Sequence, residues 1–145
     1  MLDAMAQEIL STHNKYRAEV GVPPLEWSGD LAKPAQEWAN YLAANLLFHH
    51  SGAIDQGENI WMGTSHAYSF TQMIDSFGNE KQHFVYGIFP NVSDTGNWSD
   101  VGHYTQIVWR NTKDVGCAGA DGSDGNYRLV CRYSPAGNVE GERPF

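Results

Sequence analysis

At 145 residues, 41% hydrophobic and 12% aromatic, the chain is long enough to bury one real core and too short for a second substantial domain. A formal charge of −8, with no cluster of Lys or Arg, argues against non-specific binding to nucleic acid or anionic lipid and favours neutral or basic partners. No apolar run approaches the roughly 20 residues of a membrane helix; the broken stretch around Leu46, Leu47 and Phe48 comes nearest. The amino end, MLDAMAQEIL, lacks the basic-then-apolar pattern of a secretory signal, so export is not readable there.

In AMAQEILSTHNKYRAEV, Met5, Ile9, Tyr16 and Val20 recur near helical spacing, and Gly21, Pro23 and Pro24 end that helix. A loop follows to Trp27. A second helix is predicted from Asp30 as its cap, with Leu31, Ala35, Trp38, Ala39, Leu42 and Leu46 in one apolar stripe and Pro34 tolerated near the first turn. A third spans 65–80, where Phe70, Met73, Ile74 and Phe77 share a face and Gly78 marks the approaching end. FPNVSDTGNWSD reads as a long surface loop. It holds two N-x-S sites, at Asn91 and Asn97, which matter only in a eukaryotic secretory pathway. DVGCAGA and NYRLVCRY, separated by DGSDGN, read as a hairpin carrying Cys117 and Cys131. A disulfide closing that loop would stabilise the fold by roughly 3 kcal/mol; two buried thiols are the alternative, and the pattern alone leaves both open. Helices first and antiparallel strands later make an α+β domain.

Local patterns exclude several chemistries. GADGSDG follows a strand without opening a helix and carries acidic residues, unlike a phosphate loop. There is no H-E-x-x-H run and no zinc-finger cysteine spacing, so any metal site must be assembled from distant segments. Asp114, Asp121 and Asp124 lack the regular spacing of a calcium loop and read as a solvated turn. Ser51 beside His50 is adjacency in sequence, not a nucleophile–base pair.

GHYTQIVWRNT, residues 102–112, sets a histidine and a glutamine among residues that seek a core. It resembles the first signature of the CAP superfamily, the cysteine-rich secretory, antigen 5 and pathogenesis-related class-one proteins. VCRYSPAGNV, residues 130–139, is similar to the second, with Cys131, Tyr133, Pro135, Gly137 and Asn138 in the expected places. HNKYR, VPPLEW and AQEWA match the family's first helices, so the likeness spans nearly the whole chain; Arg128 departs from the apolar residue usual at its position. The resemblance implies a single domain over residues 1–145, an α-β-α sandwich with a small antiparallel sheet between helices. It also implies secretion and a Cys117–Cys131 disulfide across the hairpin.

It further implies a cleft lined by two histidines and two carboxylates. Residue by residue these are His50 and Glu58 from HSG…GENI, Glu80 from SFGNE and His103 from GHYTQ, with Phe77 where the family usually has Trp. His50 is chosen over His49 because Ser51 follows it, as a serine follows the family's histidine. Two imidazoles, His50 and His103, can ligate a zinc-like ion while the carboxylates fix their tautomers, which makes a weak, open Zn2+ site. Without metal the same groups can satisfy one another as ion pairs. Tyr104 and Gln106 are expected to support His103 or the groove. His13 is expected in a capping or packing bond, and His66 and His83 show no partner in the sequence. Trp27, Trp38 and Trp109 read as core; Trp61 and Trp98, near loops, also read as core, with a ligand surface as the lesser reading.

The function that follows is a secreted, non-enzymatic binding or defence module, its cleft taking a metal and a small apolar ligand such as a sterol or lipid, a peptide or a glycan. The alternative is a metal-dependent peptidase or esterase, with Glu58 or Glu80 as general base to a water on the ion.

Overall fold

The computed structural model describes residues 2–145. Helix α1 (Ala4–Glu19) opens on Asp3, whose carboxylate accepts the Ala6 N–H at 2.8 Å. Strand β1 (Glu26–Trp27) leads into α2 (Gly29–Asn45). The cap of α2 is Ser28, not Asp30: its hydroxyl oxygen accepts the Leu31 N–H, and Asp30 sits in the first turn, where a negative charge suits the helix dipole. Leu46 leaves the expected stripe, because the chain turns there in the left-handed region (φ 52°) and exposes half of the side chain.

Strand β2 (Gly57–Thr64) is an element the hydrophobic pattern does not announce, since Ile60 is its one buried apolar residue. Helix α3 (Phe70–Gly78) is shorter than the expected 65–80: a capping box between Ser69 and Gln72 sets its start, and a 3-10 turn, Asn79–His83, carries Glu80. The segment expected as a surface loop is pinned from beneath. Phe89 and Val92 pack with Val101 and Trp109 in a small cluster of their own. Helix α4 (Gly102–Val108) then precedes the hairpin of β3 (Asp114–Asp121) and β4 (Asn126–Ser134).

The strands lie in the order β1-β3-β4-β2. The β3–β4 hairpin is antiparallel, as expected, and β2 adds to β4 antiparallel, but the two-residue β1 runs parallel to β3, so the sheet expected to be antiparallel is mixed at that edge. Alternation divides the core between two faces. Val115, Cys117, Leu129, Cys131 and Tyr133 face α1, α3 and α4, while Ala118, Val130 and Ile60 face α2. Helix α2 packs closely through Ala35 and Ala39 on Ile60, Ala118 and Val130, and its first turn lies on Gly116, where a Cβ would collide with the Ser28–Ala32 backbone. Cys117 and Cys131 are directly opposed in register and form a disulfide. Arg128, the residue out of place by family pattern, is buried and satisfied: it pairs with Asp124 at 2.9 Å and donates to the Leu47 carbonyl at 2.8 Å.

Two polar residues one turn apart on α1 hold the interior. Arg17 is 1% exposed and pairs with no carboxylate among the described residues. Its five N–H groups meet five carbonyls instead, those of Pro23, Ile107, Trp109, Arg110 and Thr112, at 2.6–3.5 Å. Burial lowers its pKa to about 10, with the Arg110 charge adding to the effect, so it stays charged at neutral pH. His13, fully buried, meets the Ile9 carbonyl through Nδ1 at 2.9 Å and the Tyr133 hydroxyl through Nε2 at 2.7 Å. Burial pushes its pKa down to about 4; the bond to Ile9 opposes the shift and the Arg17 charge reinforces it.

Replacing Arg17 with Ala leaves these carbonyls without donors in the interior and is expected to cost roughly 3–5 kcal/mol in urea unfolding. Arg17→Lys is expected to recover only part of that, because an ammonium cannot reach five acceptors spread along the fork. His13 supplies a pH dependence. Its folded pKa lies below the value of 6.5 for a free imidazole, so the unfolded chain takes up the extra proton first. Stability is therefore full above about pH 6.5 and falls by about 3 kcal/mol as the pH drops to 4. Unfolding free energies across that range check this, and the decline is expected to shrink in His13→Gln, which does not titrate.

Candidate functional site

The four residues His50, Glu58, Glu80 and His103 arrive from four different segments. His50 lies in the irregular loop after α2, Glu58 near the start of β2, Glu80 on the 3-10 turn and His103 in the first turn of α4. The structure brings them together as two imidazole–carboxylate pairs. His50 Nδ1 is 2.8 Å from Glu58 Oε1, and His103 Nδ1 is 2.7 Å from Glu80 Oε2. Both rings line one cleft of about 180 Å3, with Glu58 and Asn59 beside them and Trp98, Ser99, Gly102 and Asn138 completing the walls.

Glu58 has no oxygen to spare. Oε1 also accepts the Ser51 N–H at 2.9 Å, and Oε2 accepts the Ser51 hydroxyl and Arg132 Nε at 2.7 Å each. The register of β2 on β4 sets Glu58 directly opposite Arg132, so this pair of largely buried charges is built into the sheet. Burial alone would raise the Glu58 pKa, but the bonds from His50 and Ser51 and the Arg132 charge outweigh it and hold the carboxyl at about 2. Arg132 continues through Nη1 to Gln56 at 2.9 Å.

Glu80 is used in the same way. Its Oε1 accepts the N–H groups of both His103 and Tyr104 at 3.0 Å, so one carboxylate binds the first turn of α4 and orients the ring that turn presents. The His103 ring also stacks on Phe77, centroids 4.7 Å apart and planes within 8°. Phe in place of Trp therefore keeps the aromatic backing. In each neutral ring Nδ1–H donates to a carboxylate, which leaves Nε2 as the free nitrogen, with no partner among the described residues. The two halves differ in freedom: the His103 side chain is 31% exposed and the His50 side chain 60%. The loop behind His50 carries Ile54, which is 97% exposed.

The supporting residues act indirectly. Tyr104 contributes its backbone N–H to Glu80, while its ring is buried against Phe84. Gln106 does not reach the groove; it accepts the Gly137 N–H and donates to Thr112, which positions the loop bearing Asn138. His49 packs against Trp38, outside the cleft lining. His83 meets Asp94 at 3.1 Å, a partner the sequence does not reveal, and His66 is exposed on a turn. Trp61 packs against Tyr68, whereas Trp98, 43% exposed, forms a cleft wall rather than core. Asp121 and Asp124 are occupied by Ser65 and Arg128, as suits an ordinary turn.

Among the described residues, no three His, Cys, Asp or Glu side chains gather as a ready metal cage. Two imidazole Nε2 atoms with carboxylates behind them are the available donor set, and it suits a weak zinc site completed by water or ligand. No helix among these residues is long and apolar enough to cross a membrane. The sequence alone gives no role to Asn59 or Arg132 and marks Asn138 only as a motif position: Arg132 lies inside VCRYSPAGNV, but only strand register reveals its partner.

Residues 10–133 match the model of the cysteine-rich secretory protein (CAP) family. Pathogenesis-related protein 1C of Nicotiana tabacum is 39% identical over 140 residues, covering 96% of this chain and 80% of that protein. Golgi-associated plant pathogenesis-related protein 1 of Homo sapiens is 36% identical over 142 residues, covering 95% of this chain and 87% of that protein. In fold, the chain superposes on NaASP2, crystallised with Zn2+, at a TM-score of 0.82 and 24% identity, over 100% of this chain and 86% of that one. Sequence motifs, sandwich and extended similarity converge: the chain belongs to the cysteine-rich secretory protein family.

Proposed function

We propose that the chain is a secreted, non-enzymatic binding module whose cleft holds a divalent metal ion weakly through His50 and His103 and recognises a small polar ligand there. One observation carries this reading: both carboxylates are consumed in orienting their imidazoles. Glu58 accepts four hydrogen bonds, from His50, Ser51 and Arg132, which leaves it no lone pair for the proton of an attacking water; Glu80 accepts three, from His103 and Tyr104, and its one remaining lone pair is on the oxygen that orients the His103 ring. The low pKa of Glu58 makes it a poor base besides. Ser51 is not aligned with His50 as a nucleophile; its hydroxyl donates to Glu58 instead.

The cleft also bears on the class of ligand. At about 180 Å3 it is smaller than the roughly 300–1,000 Å3 of sites that enclose drug-sized apolar molecules. Trp98 is its one aromatic wall, and the other lining side chains are polar apart from a glycine. That volume suits a hydrated ion, a sugar hydroxyl or a polar head group better than a whole sterol. A bound ion would act as a Lewis acid and bridge to the ligand. Secretion fits a disulfide on the sheet and relatives named for pathogenesis, while the human relative is named for association with the Golgi.

Calorimetric titration of metal-stripped protein with Zn2+ near pH 7 is expected to show one weak site, lost in the double variant His50→Ala, His103→Ala. The loaded protein is expected to show no chelator-sensitive hydrolysis of peptide or ester substrates. Turnover abolished by chelation would replace this reading with the hydrolase.

A further inference from the structure

The mechanism of the tetrad leaves one lining residue unexplained. Asn59 lies on β2 next to Glu58, is 2% exposed, and forms part of the cleft beside both imidazoles. Its Nδ2 donates twice, to the His103 carbonyl at 3.1 Å and to the Tyr133 hydroxyl oxygen at 3.2 Å. A backbone carbonyl only accepts, so the amide cannot be turned the other way around without losing that bond.

The second bond traces back into the interior. The Ile9 carbonyl likewise only accepts, so His13 Nδ1 carries the proton of the neutral ring and Nε2 must accept from Tyr133. Tyr133 then spends its own proton on His13 and offers an oxygen lone pair to Asn59. Both amide hydrogens are therefore consumed beneath the cleft. The remaining atom, Asn59 Oδ1, accepts no hydrogen bond from the described residues. No fully buried side-chain oxygen or nitrogen among those residues lacks a partner, which puts Oδ1 at the cleft surface.

We propose that Asn59 determines what the cleft selects: its side-chain oxygen, held in place by buried bonds to Tyr133 and the His103 carbonyl, is an acceptor on the cleft floor for ligands that bring a hydrogen-bond donor, whether N–H, O–H or a water on a bound cation. With the two free Nε2 atoms it makes a floor of three acceptors. A group without hydrogens to donate would leave Oδ1 desolvated and unpaired. The net charge of −8 favours donors that are cationic. The inference deepens the binding reading above and rests on it only for the metal arm of the test.

NMR on the whole chain decides it. In metal-free protein both side-chain amide protons of Asn59 are expected to exchange slowly with solvent; fast exchange would mean that the amide faces outward and would overturn the proposal, metal or no metal. Methylammonium is expected to shift the Asn59 carbonyl-carbon resonance, and tetramethylammonium, which has no N–H, is expected not to; equal responses would overturn it. In the metal arm, Asn59→Ala is expected to weaken Zn2+ binding about tenfold while both imidazole Nε2 signals still respond. Tyr133→Phe, which keeps the side-chain shape, is expected to weaken it less and to speed amide exchange. Wild-type affinity in a folded Asn59→Ala would confine Asn59 to a structural role and overturn its part in selection. Absence of any Zn2+ response at His50 and His103 in the unmodified protein would defeat the metal reading instead, and the ammonium comparison would still judge the acceptor.

Discussion

A buried guanidinium without a counter-ion is the constraint around which this domain is assembled. Arg17 would be intolerable in the interior unless every donor were matched, and the match requires the end of α4, the turn after it and the Pro23 segment to converge on α1. His13, one helical turn earlier, binds Tyr133 on β4 and through it Asn59 on β2. One face of one helix thus fixes α4 and two strands, and with them His103 and the floor beneath it. The site owes its geometry to groups that never touch a ligand.

The carboxylates follow the same logic at the surface of the cleft. In an isolated imidazole the proton moves freely between nitrogens; here Glu58 and Glu80 hold it at Nδ1 and leave Nε2 available. Each acid is itself immobilised, Glu58 by its cross-strand arginine and Glu80 by two backbone donors. Groups held by this many bonds keep both imidazoles in fixed orientations.

Helices α1 and α2 and the hairpin were legible because their patterns are local: periodic apolar residues, proline stops, Asp and Gly at the turn. Strand β2 was not, because its side chains are mostly half-exposed and its identity comes from pairing with β4 across a long separation. The cap of α2 fell at Ser28 because two residues with capping side chains lie close together and only the backbone angle at Ser28 is extended. The four tetrad positions came from motif resemblance; they form two imidazole–carboxylate pairs, of which His50, Glu58 and His103 line the cleft and Glu80 backs His103. Their partners Arg132 and Asn59 stayed hidden, since cross-strand register and a buried hydrogen-bond chain leave no periodic trace. Trp98 misled because exposure in a loop is set by what packs below it, here Phe89 and Gly102.

The unequal footing of the two histidines has a consequence for how the cleft withstands proteolysis. His103 rides on a helix whose turns are bolted to α1, while His50 and Glu58 are joined through a loop in which Ile54 stands almost wholly in solvent. A protease needs an extended, accessible strand of chain, and that loop, exposed at residues 52–55, offers one next to the cleft. A cut there would leave the sandwich and its disulfide standing, yet free His50 to drift from its partner. The fold would persist as an intact-looking scaffold with one imidazole–carboxylate pair opened, so the survival of the cleft's arrangement would depend on the loop residues 51–56 rather than on the stability of the fold.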